Sequence, residues 1–98
     1  MRFEWDAAKS RINQRKHHGL DFETAARVFN DASLVLIEDR IVGGEQRWHA
    51  IGAVSAALLL VVHIYREDEV DGEEIIRIIP AREANQRERR IYLQQAAE

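Results

Sequence analysis

The hydrophobic pattern changes its period after Asn30, and this change restricts the fold more than any other feature of the chain. Before it, apolar side chains recur three and four positions apart, as on one buried face of a helix: Phe22, Ala25, Ala26 and Phe29. After it, short apolar runs and alternation are typical of strands, as in Glu45–Ala53. Helices followed by consecutive strands predict an α+β domain.

Composition limits the size and chemistry of that domain. The chain has 98 residues, enough for one hydrophobic core, so we expect a single domain over 1–98. The absence of cysteine excludes a disulfide framework, a thiol nucleophile and a cysteine-based zinc site. A net charge of −3 excludes a uniformly basic nucleic-acid binder. No signal peptide or membrane-spanning stretch is visible, so a cytoplasmic protein is expected.

The first thirty residues predict a short strand and two helices. Residues 2–5 can form an edge strand, and Asp6 is placed to cap a helix that runs to about residue 17. Gly19 is expected to end this helix, because glycine adopts positive φ without strain. Asp21 is expected to cap the second helix.

The first helix has two candidate faces. Ala8 and Ile12 lie one turn apart and supply a thin apolar stripe. A second stripe is polar and consists of Lys9, Asn13 and Lys16.

Four strands are predicted in the second half of the chain, which gives the order β-α-α-β-β-β-β-α. They are Leu34–Ile37, Glu45–Ala53, Ala57–Tyr65 and Glu74–Ile79. The third of them is apolar on both faces apart from His63, so we expect a central strand with a hydrogen-bonded core histidine. Pro80 has no amide to donate and is expected to stop the last strand, before a helix from about Ala81 to Gln95. The predicted fold is a small antiparallel sheet packed with helices.

Charge is segregated along the chain. Residues 9–18 contain four cations and two histidines without an acid, and residues 77–90 carry five arginines against two glutamates. Residues 67–74 hold six acids and no base. We expect the two basic segments to build one positive face, with the acidic segment turned away from it.

No common phosphate-loop, dinucleotide, zinc-protease or serine-hydrolase motif occurs, and the four histidines lack metal-ligand spacing. We therefore expect neither a metal nor a cofactor. A set of Arg, Lys, His and Glu side chains remains near the ends of elements. Such a set can cleave RNA, because a base can deprotonate the 2′-OH, an acid can protonate the leaving oxygen and cations can stabilise the phosphate.

Four linked segments resemble one known family. They are FEWDAAKSRINQRKHHGLDFETAARVF, GEQRWHAIG, LLLVVHIYRE and EIIRIIPAREANQRERRIY. In this order they are similar, over nearly the whole chain, to the BrnT family of type II toxin–antitoxin toxins. The resemblance implies a RelE-like fold and ribonuclease activity. It also implies a BrnA-like antitoxin with a ribbon-helix-helix DNA-binding region, and a complex of two toxins with an antitoxin dimer.

Two positions depart from the family pattern. His18 is an additional histidine after Lys16 and His17, so either histidine can take the family position. Pro80 stands where the family usually has serine.

The candidate catalytic residues begin with Lys16 and His17, at the end of the first helix. The alternative is that they are cations stabilised by the helix C-terminus. Lys9 lies on the same stripe and is a candidate for RNA binding. Glu45 and Arg47 project from one side of a strand, together with His49. They form either a cross-strand charge ladder or a base with a phosphate clamp.

Two further arginines are candidates for catalysis. Arg77 stands between isoleucines on a strand, where it can bind phosphate or form an ion pair with Glu88. Arg82 lies near a helix start with no structural reason to be cationic, so it is a candidate for RNA binding as well as catalysis. Glu88 and Tyr92 are one turn apart and are interpreted as a structural polar pair with Arg77.

These features allow two hypotheses. The first is an endoribonuclease toxin that works without a metal, cleaves cellular RNA and inhibits translation. The second is a protein of the same fold without catalysis, which acts only in a DNA-binding regulatory complex with its antitoxin. The acidic net charge, Pro80 and the additional histidine favour the second, whereas the resemblance favours the first. Only activity separates them.

Overall fold

The computed structural model describes residues 1–96, and these form one five-stranded sheet with helices. The strands are β1 (Arg2–Glu4), β2 (Val35–Val42), β3 (Glu45–Val54), β4 (Ala57–Glu67) and β5 (Glu74–Glu83). The helices are α1 (Ala7–Lys16), α2 (Phe22–Ala26) and α3 (Gln86–Ala96), with a 3₁₀ turn over Arg27–Asn30. The predicted α+β class is confirmed.

The sheet is mixed rather than antiparallel. Its strand order is β1-β5-β4-β3-β2, so β4 is central as predicted. Strands β2 to β5 form an antiparallel meander, but β1 pairs parallel with β5, with Glu4 opposite Arg77. A parallel pair needs a long crossover, and here residues 5–73 supply it. Short-range pattern does not reveal such a pairing, which is why an antiparallel sheet was expected.

Pro80 does not stop β5, contrary to the prediction. The register with β4 shifts there, since Val61 lies opposite Ala81 whereas His63 lies opposite Ile78. The extra residue on β5 is a β-bulge, where proline is tolerated because no ladder hydrogen bond is lost. The strand therefore continues to Glu83.

The last helix begins at Gln86, five residues later than predicted, because β5 occupies the preceding positions. Asn85 and Glu88 define its start by a reciprocal capping arrangement. The Glu88 amide donates to Asn85 Oδ1, and the Asn85 amide donates to Glu88 Oε1, both at 2.9 Å.

The two faces of the sheet differ in what covers them. On the helical face, α2 and the 3₁₀ turn place Phe22, Ala25 and Val28 against strand residues that include Ala50 and Val61. On the other face, which we call the open face, α3 covers only one end. There Ile91 and Tyr92 pack against a smaller cluster formed by Val35, Ile51, Leu58 and Leu60.

Helix α1 is held by a polar side chain, and its thin apolar stripe is exposed rather than buried. Ile12 is 44% exposed and Ala8 is exposed, whereas Asn13 is only 5% exposed. Asn13 Nδ2 donates to the Leu20 carbonyl at 2.9 Å, and Asn13 Oδ1 accepts from the Ala81 amide at 3.1 Å. A single amide thus joins α1 to the following loop and to the β5 bulge.

His63 lies on the helical face and is fully buried, as expected of a core histidine. Its Nδ1 lies 3.2 Å from the Val61 carbonyl, and its ring stacks edge-on against Phe29 and Tyr65. Its Nε2 has no hydrogen-bond partner among residues 1–96. Burial lowers the pKa of His63 to about 4, because the charged imidazolium would lose its hydration.

The acidic segment forms the connection between β4 and β5. Its carboxylates pair with the positive charges at the start of the chain. Arg2 forms ion pairs with Asp68 and Glu73, and the terminal amine pairs with Glu73 at 3.3 Å. The hydrogen bond from Arg2 lowers the pKa of Asp68. This connection lies at the end of β5 remote from Arg82.

Candidate active site

The open face carries the charged side chains that the sequence singled out on strands. Strand β3 alternates, so Glu45, Arg47 and His49 share a face with Ile51, which packs below α3. The bulge in β5 shifts its alternation by one residue. Arg82 therefore lies on the same face as Arg77, although the two are an odd number of positions apart.

One small cavity on this face brings three candidate groups together. It has a volume of about 90 Å³ and is lined by His17, His49 and Arg82. Its remaining wall is formed by Leu60, Val62, Pro80 and Ala81. Two imidazoles and a guanidinium thus line one cavity whose remaining wall is mostly apolar.

Asn13 explains why His17 reaches this cavity. His17 is the C-terminal cap of α1, and its amide donates to the Asn13 carbonyl at 2.9 Å. The side chain of the same Asn13 holds Ala81 beside Arg82. The chain then reverses through positive φ at His18 (52°) and Gly19 (85°), and His18 lies outside the cavity.

A second cavity adjoins the first and adds two lysines. It has a volume of about 200 Å³, and its charged lining residues are Lys9, Lys16 and His17. Because His17 lines both cavities, the lysines flank the imidazole and guanidinium groups on the α1 side. Such an arrangement can hold a phosphate next to a reacting one.

Arg82 is fixed in place by Glu88. Its Nη1 donates to Glu88 Oε1 at 2.7 Å and its Nη2 to Oε2 at 2.9 Å, while Nη1 also donates to the Glu83 carbonyl. The hydrogen bond from Arg82 lowers the pKa of Glu88, and the same bond raises the pKa of Arg82. Since a guanidinium has five N–H donors, Nε–H and one Nη2–H remain without a partner among residues 1–96.

The predicted polar pair of Glu88 and Tyr92 with Arg77 is wrong. Arg77 pairs with Glu4, which faces it across the parallel β1–β5 contact. Tyr92 instead donates to Asp31 Oδ2 at 2.6 Å. That hydrogen bond lowers the pKa of Asp31 and raises that of Tyr92, and it ties α3 to the end of the 3₁₀ turn.

The remaining candidates lie farther along the open face. Glu45 receives hydrogen bonds from Arg66 Nε at 3.2 Å and Arg66 Nη2 at 3.4 Å, so the carboxylate is engaged by a cation. Arg47 makes neither an ion pair nor a side-chain hydrogen bond with any residue from 1 to 96. The structure thus brings His17 and Arg82 together with both lysines, but it does not bring Glu45, Arg47 or Arg77 into the same cavity.

His49 lines the cavity but was not among the residues predicted to be catalytic. It was visible on the β3 stripe, but alternation alone did not distinguish it from a charge ladder. In the structure His49 Nε2 lies 3.1 Å from Asp39 Oδ2. No cluster of three or more His, Asp or Glu side chains within residues 1–96 is arranged to hold a metal ion.

No helix within residues 1–96 is both long and apolar enough to cross a membrane.

Among curated proteins, none matches the chain. A family model does match, over residues 5–88, and it describes the ribonuclease toxin BrnT of type II toxin–antitoxin systems. The matched range contains every residue that lines the two cavities and ends at Glu88, the partner of Arg82. The chain therefore belongs to the BrnT family of ribonuclease toxins.

Proposed function

We propose that this chain is an endoribonuclease toxin that cleaves cellular RNA through attack of the 2′-OH, without a metal, and thereby inhibits translation in the cytoplasm. Its BrnT family membership supports a ribonuclease. One observation carries the location of the chemistry: His17, His49 and Arg82 line a single cavity. We also propose that the five-stranded sheet with its helices is a RelE-like fold.

The two imidazoles supply the proton transfers. His49 accepts the proton of the 2′-OH as the 2′ oxygen forms a bond to phosphorus. His17 donates a proton to the 5′ oxygen as the bond from phosphorus to that oxygen breaks. The products are a 2′,3′-cyclic phosphate and a 5′-hydroxyl, so the net reaction needs no oxidant, reductant or added group. The charges on the two histidines are restored by one proton exchange with water.

Arg82 stabilises the negative charge that develops on phosphorus oxygens. Its Nε–H and second Nη2–H are not used by Glu88, and these two parallel donors can bind two phosphate oxygens at once. Glu88 therefore positions the guanidinium without using all of its donors. Lys9 and Lys16 hold the neighbouring phosphates, and Lys16 acts beside the reacting group rather than as its base.

Arg47 and Arg77 extend the binding surface along the open face. Each phosphate that a cation neutralises releases counterions, so RNA binding is expected to weaken steeply with salt. Glu45 is not proposed as the base, because Arg66 engages its carboxylate.

The partner of the toxin is proposed to be a BrnA-like antitoxin with a ribbon-helix-helix DNA-binding region, in a complex of two toxins with an antitoxin dimer. An acidic antitoxin segment that lies on the open face would compete with RNA for Lys16 and Arg82. This accounts for neutralisation of the toxin without any change in its fold.

The test is RNA cleavage by the purified chain in EDTA, with mapping of the new ends. We expect cyclic phosphates and 5′-hydroxyls, and cleavage that persists without divalent metal. The matched variants are His17→Asn and His18→Asn, because asparagine tolerates the positive φ at position 18. The first should be inactive and the second active.

Two results would contradict this proposal. Cleavage that is lost in EDTA and restored by added metal would overturn the metal-free reaction. A folded wild-type chain that binds its antitoxin but leaves RNA intact would support the regulatory hypothesis instead.

A further inference from the structure

Asp39 stands beside His49, one of the residues that line the cavity. Its Oδ2 lies 3.1 Å from His49 Nε2, and both side chains are only about a third exposed or less, at 30% and 27%. The contact is an ion-pair distance, and it is the one carboxylate contact of the His49 ring within residues 1–96. The ring therefore has Nε2 beside a carboxylate, and Nδ1 is its other nitrogen.

The position of Asp39 depends on a local irregularity of β2. The register between β2 and β3 shifts between Glu38 and Ile41, which is where Asp39 lies. Bulges of this kind often re-aim a side chain beside a functional site. Gln46 holds the irregular backbone, since its Nε2 donates to the carbonyls of Asp39 and Arg47.

Another carboxylate lies near His49 but is already engaged. Glu88 interacts electrostatically with His49. Its two oxygens, however, accept from Arg82 and from the Asn85 amide. Within residues 1–96, Asp39 is the carboxylate in direct contact with the His49 ring.

We propose that Asp39 is a positioning residue that keeps the proton of His49 on Nε2 and leaves Nδ1 free to accept the proton of the 2′-OH. The inference rests on the proposed function, because it assigns His49 as the base. The 2′-OH proton moves to Nδ1 as the bond from the 2′ oxygen to phosphorus forms. Asp39 stays ionised throughout and stabilises the imidazolium, as a carboxylate does behind a catalytic histidine.

The experiment compares Asp39→Asn with wild type in kcat and KM for a short RNA. We expect kcat to fall about tenfold or more and KM to stay within twofold, because the substitution changes the base and not the phosphate contacts. Glu38→Gln removes the adjacent, exposed carboxylate and is the matched control, which should leave both constants unchanged.

Two further measurements separate positioning from a structural role. Nitrogen NMR of the His49 ring reports which nitrogen carries the proton, and Asp39→Asn should reduce the Nε2–H form. Gln46→Ala keeps Asp39 and His49 but removes the hydrogen bond that holds the Asp39 backbone. We expect kcat to fall by a smaller factor than in Asp39→Asn, together with the same reduction of the Nε2–H form of His49.

The possible failures are distinguishable. If wild type does not cleave RNA, or His49→Ala cleaves normally, the proposed function fails. If His49→Ala is inactive while Asp39→Asn keeps full kcat, the role of Asp39 is overturned and that of His49 stands. A lower kcat in Asp39→Asn with an unchanged His49 ring would also overturn it, because the effect would then be structural.

Discussion

The two faces of the sheet are built by the same strands but serve different purposes. The helical face is covered by packed apolar residues, and the His63 ring on it is fully buried. The open face is covered only where α3 packs, and it carries arginines, carboxylates and His49 elsewhere. On the covered face, close packing restricts which side chains can be present. The part of the open face that α3 does not cover is free of this restriction, and it carries the candidate catalytic residues.

His63 and His49 illustrate the difference, because they lie on neighbouring strands in nearly the same row. Trp48 is the residue opposite His63, and His49 lies opposite Val62. The two rings are therefore offset by one row of the β3–β4 ladder, and they point to opposite faces of the sheet. His63 is buried in the core, whereas His49 lines a cavity beside Arg82.

The largest expected effect is on the open face. Arg82→Ala should reduce the rate of RNA cleavage about 10²- to 10³-fold, because it removes preorganised stabilisation of the phosphate. Arg82→Lys should restore little of the lost cleavage rate, since the single charge of an ammonium cannot replace the two parallel donors of the guanidinium. Single-turnover cleavage measures both, with Arg87→Ala, an exposed arginine on α3, as control. Full activity of Arg82→Ala would remove Arg82 from the site.

On the helical face the effect should be on stability. Phe22→Ala should lower the free energy of unfolding by about 3–5 kcal/mol, because the side chain is only 1% exposed. Ile12→Ala on α1 should change it by less than about 1 kcal/mol, since Ile12 is half-exposed. Urea unfolding of both variants checks this contrast, and equal losses would mean that α1 does bury its apolar stripe.

The buried imidazole predicts a pH dependence of stability. The pKa of His63 is lowered to about 4 in the folded protein, whereas an unfolded histidine titrates near 6.5. Between these values the unfolded chain binds the extra proton, so the stabilisation is complete above pH 6.5 and is lost as the pH falls. From pH 7 to 4.5 the free energy of unfolding should fall by about 2–3 kcal/mol.

Urea unfolding at several pH values measures this slope, and His63→Gln provides the comparison. The variant should be less stable at pH 7 but should lose much less stability on acidification. An unchanged slope would assign the pH dependence to other groups.

The smallest effect is expected at the acidic connection. Glu67→Gln with Glu69→Gln should change the cleavage rate by less than threefold, because β5 separates this end from Arg82 by roughly 25 Å, beyond the range of screened charge. Asp68 is left intact, since it pairs with Arg2 and accepts from the Val70 amide. A tenfold change would place the connection at the working surface.

Local pattern predicted much of the fold. The caps at Asp6 and Asp21 and the central strand follow from residues that are close in sequence. The parallel pairing of β1 with β5 could not be predicted in this way, because a pairing between residues far apart in sequence leaves no periodic signal. The start of α3 was misplaced for a related reason: a bulge at Pro80 looks like a strand end when the partner strand is unknown.

The site was predicted in part. His17, Lys16 and Arg82 were candidates from the sequence, and the structure brings them to adjoining cavities. Asn13, which joins α1 to β5, was not predicted to have this role, because in the sequence it is one polar residue of an exposed polar stripe. The contact of His49 with Asp39 depends on an irregularity in β2, and alternation does not encode it.

We expect RNA to be bound and cleaved at the cavity that His17, His49 and Arg82 line. The most direct measurement is NMR mapping of wild-type chain with a short RNA whose 2′-hydroxyls are methylated, so that it binds without being cleaved. We expect the perturbed amides to cluster at the end of α1, the middle of β3 and the β5 bulge. Perturbations confined to the helical face or to the acidic connection would contradict it.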